Sequence, residues 1–103
     1  MLIGFQHQGN LGLGYLTSVL RQHGYSVQIV DIEQDPEEIL KTALTINPLL
    51  IGFSLIFQFY INHYGALIQA MRALGIDCHL TMGGHFPSLN YQQTLEMVPE
   101  LDS

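Results

Sequence analysis

The sequence is poor in cysteine, and this shortage excludes several classes of protein. Its 103 residues contain one cysteine, Cys78. A disulfide framework within the chain is therefore excluded, and the cytoplasm is the expected compartment. A single thiolate also cannot hold an iron–sulfur cluster, which takes several cysteine ligands. Any such cluster would have to be bound outside these residues.

Basic residues are also scarce, which argues against two kinds of partner. Three of them (Arg21, Lys41 and Arg72) stand against nine acidic residues, and the net charge is −6. Binding of nucleic acid needs a basic surface that neutralises phosphates, so none is expected, and anionic membranes are disfavoured for the same reason. No apolar run approaches the ~20 residues of a membrane helix. The start of the chain is too short and too poor in basic residues for a signal peptide.

Apolar residues are abundant, at 48% of the chain against 12% charged, and they alternate between two patterns. Short apolar runs predict four strands, and helical periodicity follows each of them. Asp35 and Pro36 are typical of a helix start, and Gly24 and Gly75 of helix ends. The predicted strands are Leu2 to Phe5, Tyr25 to Asp31, Leu49 to Ser54 and Ile76 to Met82. The predicted helices cover 13–24, 36–47, 60–74 and 89–98.

This alternation predicts an α/β fold, a Rossmann-like (flavodoxin-like) three-layer sandwich around a parallel sheet, in one domain over residues 1–103. Four strands are fewer than the usual five, and a fifth would be expected next after residues 99–103. We therefore expect an N-terminal fragment of a larger protein, cut before its fifth strand. The exposed sheet edge would then be a surface through which copies of the chain could associate.

Three loops lie where ligands bind in such sheets, beyond the carboxyl ends of the strands. The first, 7–12, is rich in glycine, although its spacing differs from the dinucleotide fingerprint. The second, 54–58, starts with the hydroxyl of Ser54 and is then apolar. The third, 83–88, opens with Gly83 and Gly84, which leave an open surface for a planar group. Each loop alone is also compatible with a plain turn or with packing against another domain, and their coincidence carries the prediction.

The remaining polar residues do not form a catalytic or metal-binding pattern. The five histidines fall in different elements without the close spacing of zinc ligands. His85, beside the diglycine turn, is the best placed, for a hydrogen bond to a ligand or within the loop rather than as a metal ligand. Cys78 is interpreted as a packed thiol and Asp31 as a solvated strand end. No catalytic residue and no protein ligand to a metal are predicted.

These segments together resemble the B12-binding domain at the N-terminus of B12-dependent radical SAM proteins. Residues 10–27 resemble that family's first helix, which reads Gly-Leu-x-Tyr-Leu-x-x-x-Leu and then Gly-x-x-Val. Residues 50–54 resemble its third strand, and 83–88 resemble its Gly-Gly turn. The resemblance covers nearly the whole chain.

The resemblance implies that cobalamin stands on the carboxyl edge of the sheet, with its nucleotide tail beside the three loops. Ser54 and Ile56 match the family's Ser-x-Leu at the tail pocket. The implied cobalamin-binding residues are Gly9, Asn10, Leu11, Gly12, Ser54, Leu55, Ile56, Gly83, Gly84, His85 and Phe86. One branch of the family supplies a lower cobalt ligand from Asp-x-His-x-x-Gly. Here Gly9 stands in that histidine's place and His7 in that of the aspartate, which implies base-off cobalamin without a protein histidine.

The resemblance also implies partners outside this chain. A 4Fe-4S cluster and S-adenosylmethionine would be bound by a downstream radical SAM domain of the same protein. Two other interpretations stay open from the sequence. One is a flavodoxin-like or receiver-like domain that acts through protein contacts, although His7 and Ser54 stand where a receiver needs acids. The other is a domain that kept this fold and lost its ligand.

Overall fold

The computed structural model describes residues 1–5, 11–55 and 60–103, with the side chains of all of these except residues 11, 12, 85 and 86. Four strands and five helices are described. The strands are β1 (Leu2–Gly4), β2 (Ile29–Asp31), β3 (Leu50–Ser54) and β4 (His79–Gly83). The helices are α1 (Leu11–Gln22), α2 (Pro36–Ile46), α3 (Ile61–Ala73), α4 (His85–Leu89) and α5 (Tyr91–Met97).

The strands form one parallel sheet in the order β2-β1-β3-β4, which confirms the predicted α/β fold. The chain moves from β1 to β2 in one direction and then crosses back over β1 to β3 and β4. Because such crossovers are right-handed, α1 lies on one face of the sheet and α2 and α3 on the other. The strand order therefore reverses between β1 and β3, and this is where ligands bind in folds of this kind.

The main core lies between the sheet and α2 and α3. Alternate strand residues, among them Ile3, Ile51 and Leu80, are fully buried there against α3 residues such as Ile68 and Met71. The opposite face is thinner. There Gly52 packs against the Leu2 side chain, where an added Cβ would lie 2.9 Å from a Leu2 methyl carbon.

The helix ends follow the local signals of the sequence. The Asp35 carboxylate accepts a hydrogen bond from the Glu37 N–H at 3.1 Å, and Pro36 opens α2. Gly24 and Gly75 follow α1 and α3 with φ of 85° and 87°, in the left-handed region that glycine tolerates. Asn47 ends α2 with φ of 51°. These ends are confirmed within a residue or two because their causes are local.

Two strands begin later than predicted, at the residue where pairing with the neighbouring strand begins. β2 begins at Ile29 rather than Tyr25, and Ile29 is the register partner of Leu2, the first residue of β1. β4 begins at His79 rather than Ile76, and His79 is the register partner of Leu50, the first residue of β3. Before these starts, Arg21 donates to the Val27 carbonyl, and Arg72 donates to the carbonyls of Ile76 and Cys78, each at 3.0 Å.

The structure differs from the sequence patterns at two other places. Residues 85–88, predicted as part of the loop after the fourth strand, belong to the short helix α4, in which the Ser88 N–H donates to the Gly84 carbonyl at 3.1 Å. Leu16, which helical spacing places on the same face as Leu13, is 51% exposed, and Thr17 is buried instead. The Thr17 hydroxyl can enter the apolar layer because it donates to the Leu13 carbonyl within its own helix.

The last residues of the chain lie along the outer side of β4. The Asp102 N–H donates to the Leu80 carbonyl at 2.8 Å, and the Met82 N–H donates to the Ser103 carbonyl at 3.1 Å. These bonds hold the segment alongside β4, although residues 101–103 do not form a strand. The edge of β4 predicted to be exposed is thus partly covered by the chain itself.

Candidate functional site

The loops that follow β3 and β4 are joined at the carboxyl edge of the sheet. The Leu55 N–H donates to the Gly83 carbonyl at 2.9 Å, which extends the ladder one residue past β3. Gly84 then turns away with φ of 123°, and a Cβ there would overlap the carbonyl oxygen of Leu55. Only glycine allows this close approach. Two of the three predicted loops therefore form one continuous surface.

Gly83 gives this surface its open character. It is exposed, and a Cβ built on it would have nothing within 4 Å. Ser54, its register partner on β3, is half-buried. The edge thus exposes the backbone of Gly83 beside the serine residue Ser54. Such a surface suits a flat, largely uncharged ligand that approaches the backbone closely.

A buried tyrosine of α3 forms a hydrogen bond with the end of β3. The Tyr64 side chain is fully buried, and its hydroxyl donates to the Ser54 carbonyl at 2.8 Å. Its ring meets that of Phe53 edge to face, with centroids 6.1 Å apart. Burial, and then the negative charge of Asp31, raise the pKa of Tyr64. The hydroxyl therefore stays protonated and remains a donor.

Helical spacing places Tyr64 on the same face of α3 as Leu67 and Ile68, but it does not reveal the contact with the Ser54 carbonyl. A tyrosine in an otherwise aliphatic buried stripe was the available signal. A buried hydroxyl needs a hydrogen-bond partner, and such a tyrosine therefore points to a nearby backbone or polar group.

Asp31 corrects one interpretation made from the sequence. It ends β2 but is 5% exposed rather than solvated. Its carboxylate accepts a hydrogen bond from the Glu33 N–H at 2.9 Å and so caps the turn that leads into α2. Burial is possible because the turn brings backbone donors to the charged group. Cys78, by contrast, is half-buried against the core as predicted.

Several predicted site residues can be located only in part. Gly9, Asn10 and Ile56 lie outside the described residues. Leu11 and Gly12 form the first residues of α1, directly beyond β1. His85 and Phe86 open α4 immediately after Gly84, so their backbone belongs to the carboxyl edge. A binding role for each of these residues stays a prediction.

All three basic residues of the chain lie away from this edge. Arg21 and Arg72 stand in the last turns of α1 and α3, near the amino ends of the strands, and Lys41 is in the middle of α2. No arginine or lysine side chain therefore faces the joined loops, and neither residue type would pair with a diphosphate there. The edge suits a ligand held by shape and neutral hydrogen bonds.

A separate apolar groove of about 690 Å³ lies at the opposite, amino end of the strands. It is lined by residues at or just before the starts of the strands, among them Leu2, Tyr25, Leu49 and Leu50. None of the predicted site residues contributes to it. It is thus distinct from the carboxyl edge, where the strand order reverses.

Comparison with protein families gives one match. The model of the B12 binding domain matches residues 6–103. The chain belongs to the B12-binding domain family. The match includes all three loops of the carboxyl edge and therefore supports cobalamin as the ligand of this domain. Comparison with curated proteins and with solved structures finds no match.

The described part of the B12-binding domain fits cobalamin in its donor chemistry. Gly83 is open backbone whose free space a side chain would fill, and Ser54 offers one neutral polar group beside it. Among the described residues no group of three His, Cys, Asp or Glu side chains could hold a bare metal ion. Cobalamin carries its cobalt in the corrin ring and needs no such cluster.

Within the described ranges, none of the helices combines the length and apolar character needed to cross a bilayer.

Proposed function

We propose that this B12-binding domain is the cobalamin module of a B12-dependent radical SAM protein. When bound, cobalamin supplies a reactive cobalt–carbon bond for methyl transfer or radical chemistry. The chain's own residues hold the cofactor and shield it, and the reaction takes place against a domain outside these 103 residues. A 4Fe-4S cluster and S-adenosylmethionine would belong to that downstream domain. A location in the cytoplasm stays a prediction from cysteine usage.

The junction between Leu55 and Gly84 is the observation that carries this proposal. It brings the two loops into contact at the carboxyl edge and leaves Gly83 bare for a ligand. The nucleotide tail of cobalamin would pass this junction, beside Ser54. The proposed binding residues are Gly9, Asn10, Leu11, Gly12, Ser54, Leu55, Ile56, Gly83, Gly84, His85 and Phe86.

The lower face of cobalt would carry no protein histidine. This part of the proposal rests on Gly9, which stands where the related branch has its ligand histidine. Electron paramagnetic resonance of the bound Co(II) form tests it directly. Base-off cobalamin without a nitrogen ligand gives a spectrum free of nitrogen splitting. Splitting that persists when the protein is bound would show a histidine or the cofactor's own base on cobalt.

The binding proposal is tested by titrating the 103-residue chain with hydroxocobalamin and methylcobalamin. Visible absorbance after desalting reports the corrin that is retained. Gly83→Val should leave the fold intact, because the valine side chain would enter open space. It should abolish retention of the corrin, because the valine would occupy the space proposed for the ligand. Ser54→Leu should also abolish it. Leu49→Ser, at the opposite end of the sheet and 88% exposed, is the matched control and should bind like the wild type.

Two results would contradict the proposal. Equal retention by the wild type and Gly83→Val would move the ligand away from this edge. No retention by the wild type would indicate a fold that has lost its ligand, if a longer chain that includes the downstream domain also fails to retain corrin.

A further inference from the structure

The end of β3 is held at two successive residues by two different elements. The Ser54 carbonyl accepts the hydroxyl of Tyr64, which comes from α3. The next residue, Leu55, donates its N–H to Gly83 of β4. The path of the chain as it leaves β3 is therefore defined from the helix layer and from the neighbouring strand together.

The Tyr64 hydroxyl can act on the site because of where it stands. The side chain rises from the second turn of α3 and is fully buried, yet its polar atom reaches the last residue of β3. The ring is fixed by its edge contact with Phe53, whose centroid lies 6.1 Å away. A hydroxyl on a fixed ring has little freedom, and the carbonyl it bonds has correspondingly little.

We infer that Tyr64 is a positioning residue of the cobalamin site, whose hydroxyl holds the end of β3, at Ser54 and Leu55, in the form that admits the nucleotide tail. This inference rests on the proposed function. Tyr64 does not touch the ligand and acts through the Ser54 carbonyl. If this bond is lost, the end of β3 relaxes and the Leu55 carbonyl shifts against Gly84. The open surface at Gly83 then no longer matches the tail.

Tyr64→Phe isolates this role, because it keeps the buried ring and removes only the hydroxyl. The experiment compares the Kd for hydroxocobalamin with the Kd for cobinamide, which has the same corrin ring and lacks the nucleotide tail. We expect the Kd for hydroxocobalamin to rise about tenfold, the size of effect expected for one hydrogen bond. The Kd for cobinamide should stay within about twofold of the wild-type value.

A purely structural role for Tyr64 would give a different result. Unfolding in urea would become easier, and both ligands would weaken equally or not at all. Either pattern overturns the inference. Tyr91→Phe is the matched control, because Tyr91 is 66% exposed on α5, and its binding of both ligands should be unchanged.

A rescue experiment distinguishes loss of the hydrogen bond from poor folding of the Tyr64→Phe variant. With para-aminophenylalanine at position 64 the ring stays and an N–H donor replaces the O–H. Restored discrimination between the two ligands supports a positioning hydrogen bond, and failure to restore it overturns the inference. Failure of the wild type to bind either ligand contradicts the proposed function itself. Equal binding of hydroxocobalamin by the wild type and Tyr64→Phe contradicts only the role of Tyr64.

Discussion

Neighbouring glycines at the carboxyl edge have different physical roles. Gly84 has φ of 123° and presses on the Leu55 carbonyl, so both its backbone angle and its surroundings exclude a side chain. Gly83 has an ordinary backbone angle and open space around its Cα. The first glycine of the pair is thus needed for the surface that it leaves free, and the second for the shape of the turn.

We expect Gly84→Ala to destabilise the fold by about 2–3 kcal/mol, since strain of this kind costs roughly 1–3 kcal/mol and the overlap with Leu55 adds to it. Gly83→Ala, one residue earlier, should change stability by less than about 0.5 kcal/mol. Urea unfolding followed by circular dichroism measures both. Equal effects of the two substitutions would show that the turn does not depend on the contact between Gly84 and Leu55.

Arg72 connects two elements to the C-terminal segment. Its guanidinium donates to the carbonyls of Ile76, Cys78 and Glu100 and forms an ion pair with Asp102 at 2.8 Å. Asp102 in turn accepts a hydrogen bond from the Leu80 N–H at 2.9 Å. The end of α3, the start of β4 and the last residues of the chain are therefore held by one side chain and its partner.

This arrangement predicts that the free energy of unfolding depends on pH in the acidic range. The hydrogen bond from the Leu80 N–H, followed by the bond and charge of Arg72, holds the pKa of Asp102 below its ordinary value of 3.8. A group whose pKa is lowered by folding stabilises the protein above its ordinary pKa, and this contribution is lost as the pH falls through the folded value. Asp102→Asn should therefore be less stable than the wild type at neutral pH, and the difference should shrink below pH 3.8.

The measurement is urea unfolding at neutral pH and at a series of acidic values. Asp77→Asn is the control, because Asp77 is an exposed aspartate just before β4. The stability of this variant at neutral pH should be close to that of the wild type. A constant difference between the wild type and Asp102→Asn down to the most acidic sample would contradict the assignment of this titration to Asp102.

The carboxyl edge of the sheet is separate from the other features of the molecule. The bare backbone lies at the carboxyl ends of the strands, the arginines and the lysine lie away from it, and the apolar groove lies at the amino ends. With a net charge of −6 and no arginine or lysine at the edge, the molecule suits a neutral, bulky cofactor better than a diphosphate. The family match agrees with this reading of the site.

Cobalamin should stabilise the whole domain by mass action. A ligand that binds only the folded state at 100 times its Kd adds about 2.7 kcal/mol to the free energy of unfolding. For a domain of this size that is a rise in Tm of roughly ten degrees or more. Differential scanning fluorimetry with hydroxocobalamin measures it. FMN at the same concentration should leave Tm unchanged, and a shift with FMN alone would favour the flavodoxin-like alternative.

Much of the fold could be predicted because its causes lie within a few residues. The alternation of apolar runs and helical periodicity indicated the parallel α/β sheet, and Asp35 with Pro36 indicated the start of α2. The loops after β3 and β4 could be assigned to one edge because parallel strands all end there. The open surface at Gly83 was anticipated from the residue type alone, whereas Gly84 packs against Leu55.

The features that were missed depend on residues far apart in the chain. β2 and β4 begin where the neighbouring strand supplies pairing partners, which local patterns do not show. Tyr64 reaches Ser54 only when α3 packs on β3. Local propensity sets which elements form and where the helices end, since it acts within one turn or one strand. Where the strands begin, and which polar groups meet at the site, was decided only by tertiary packing, since that alone brings distant donors and acceptors together.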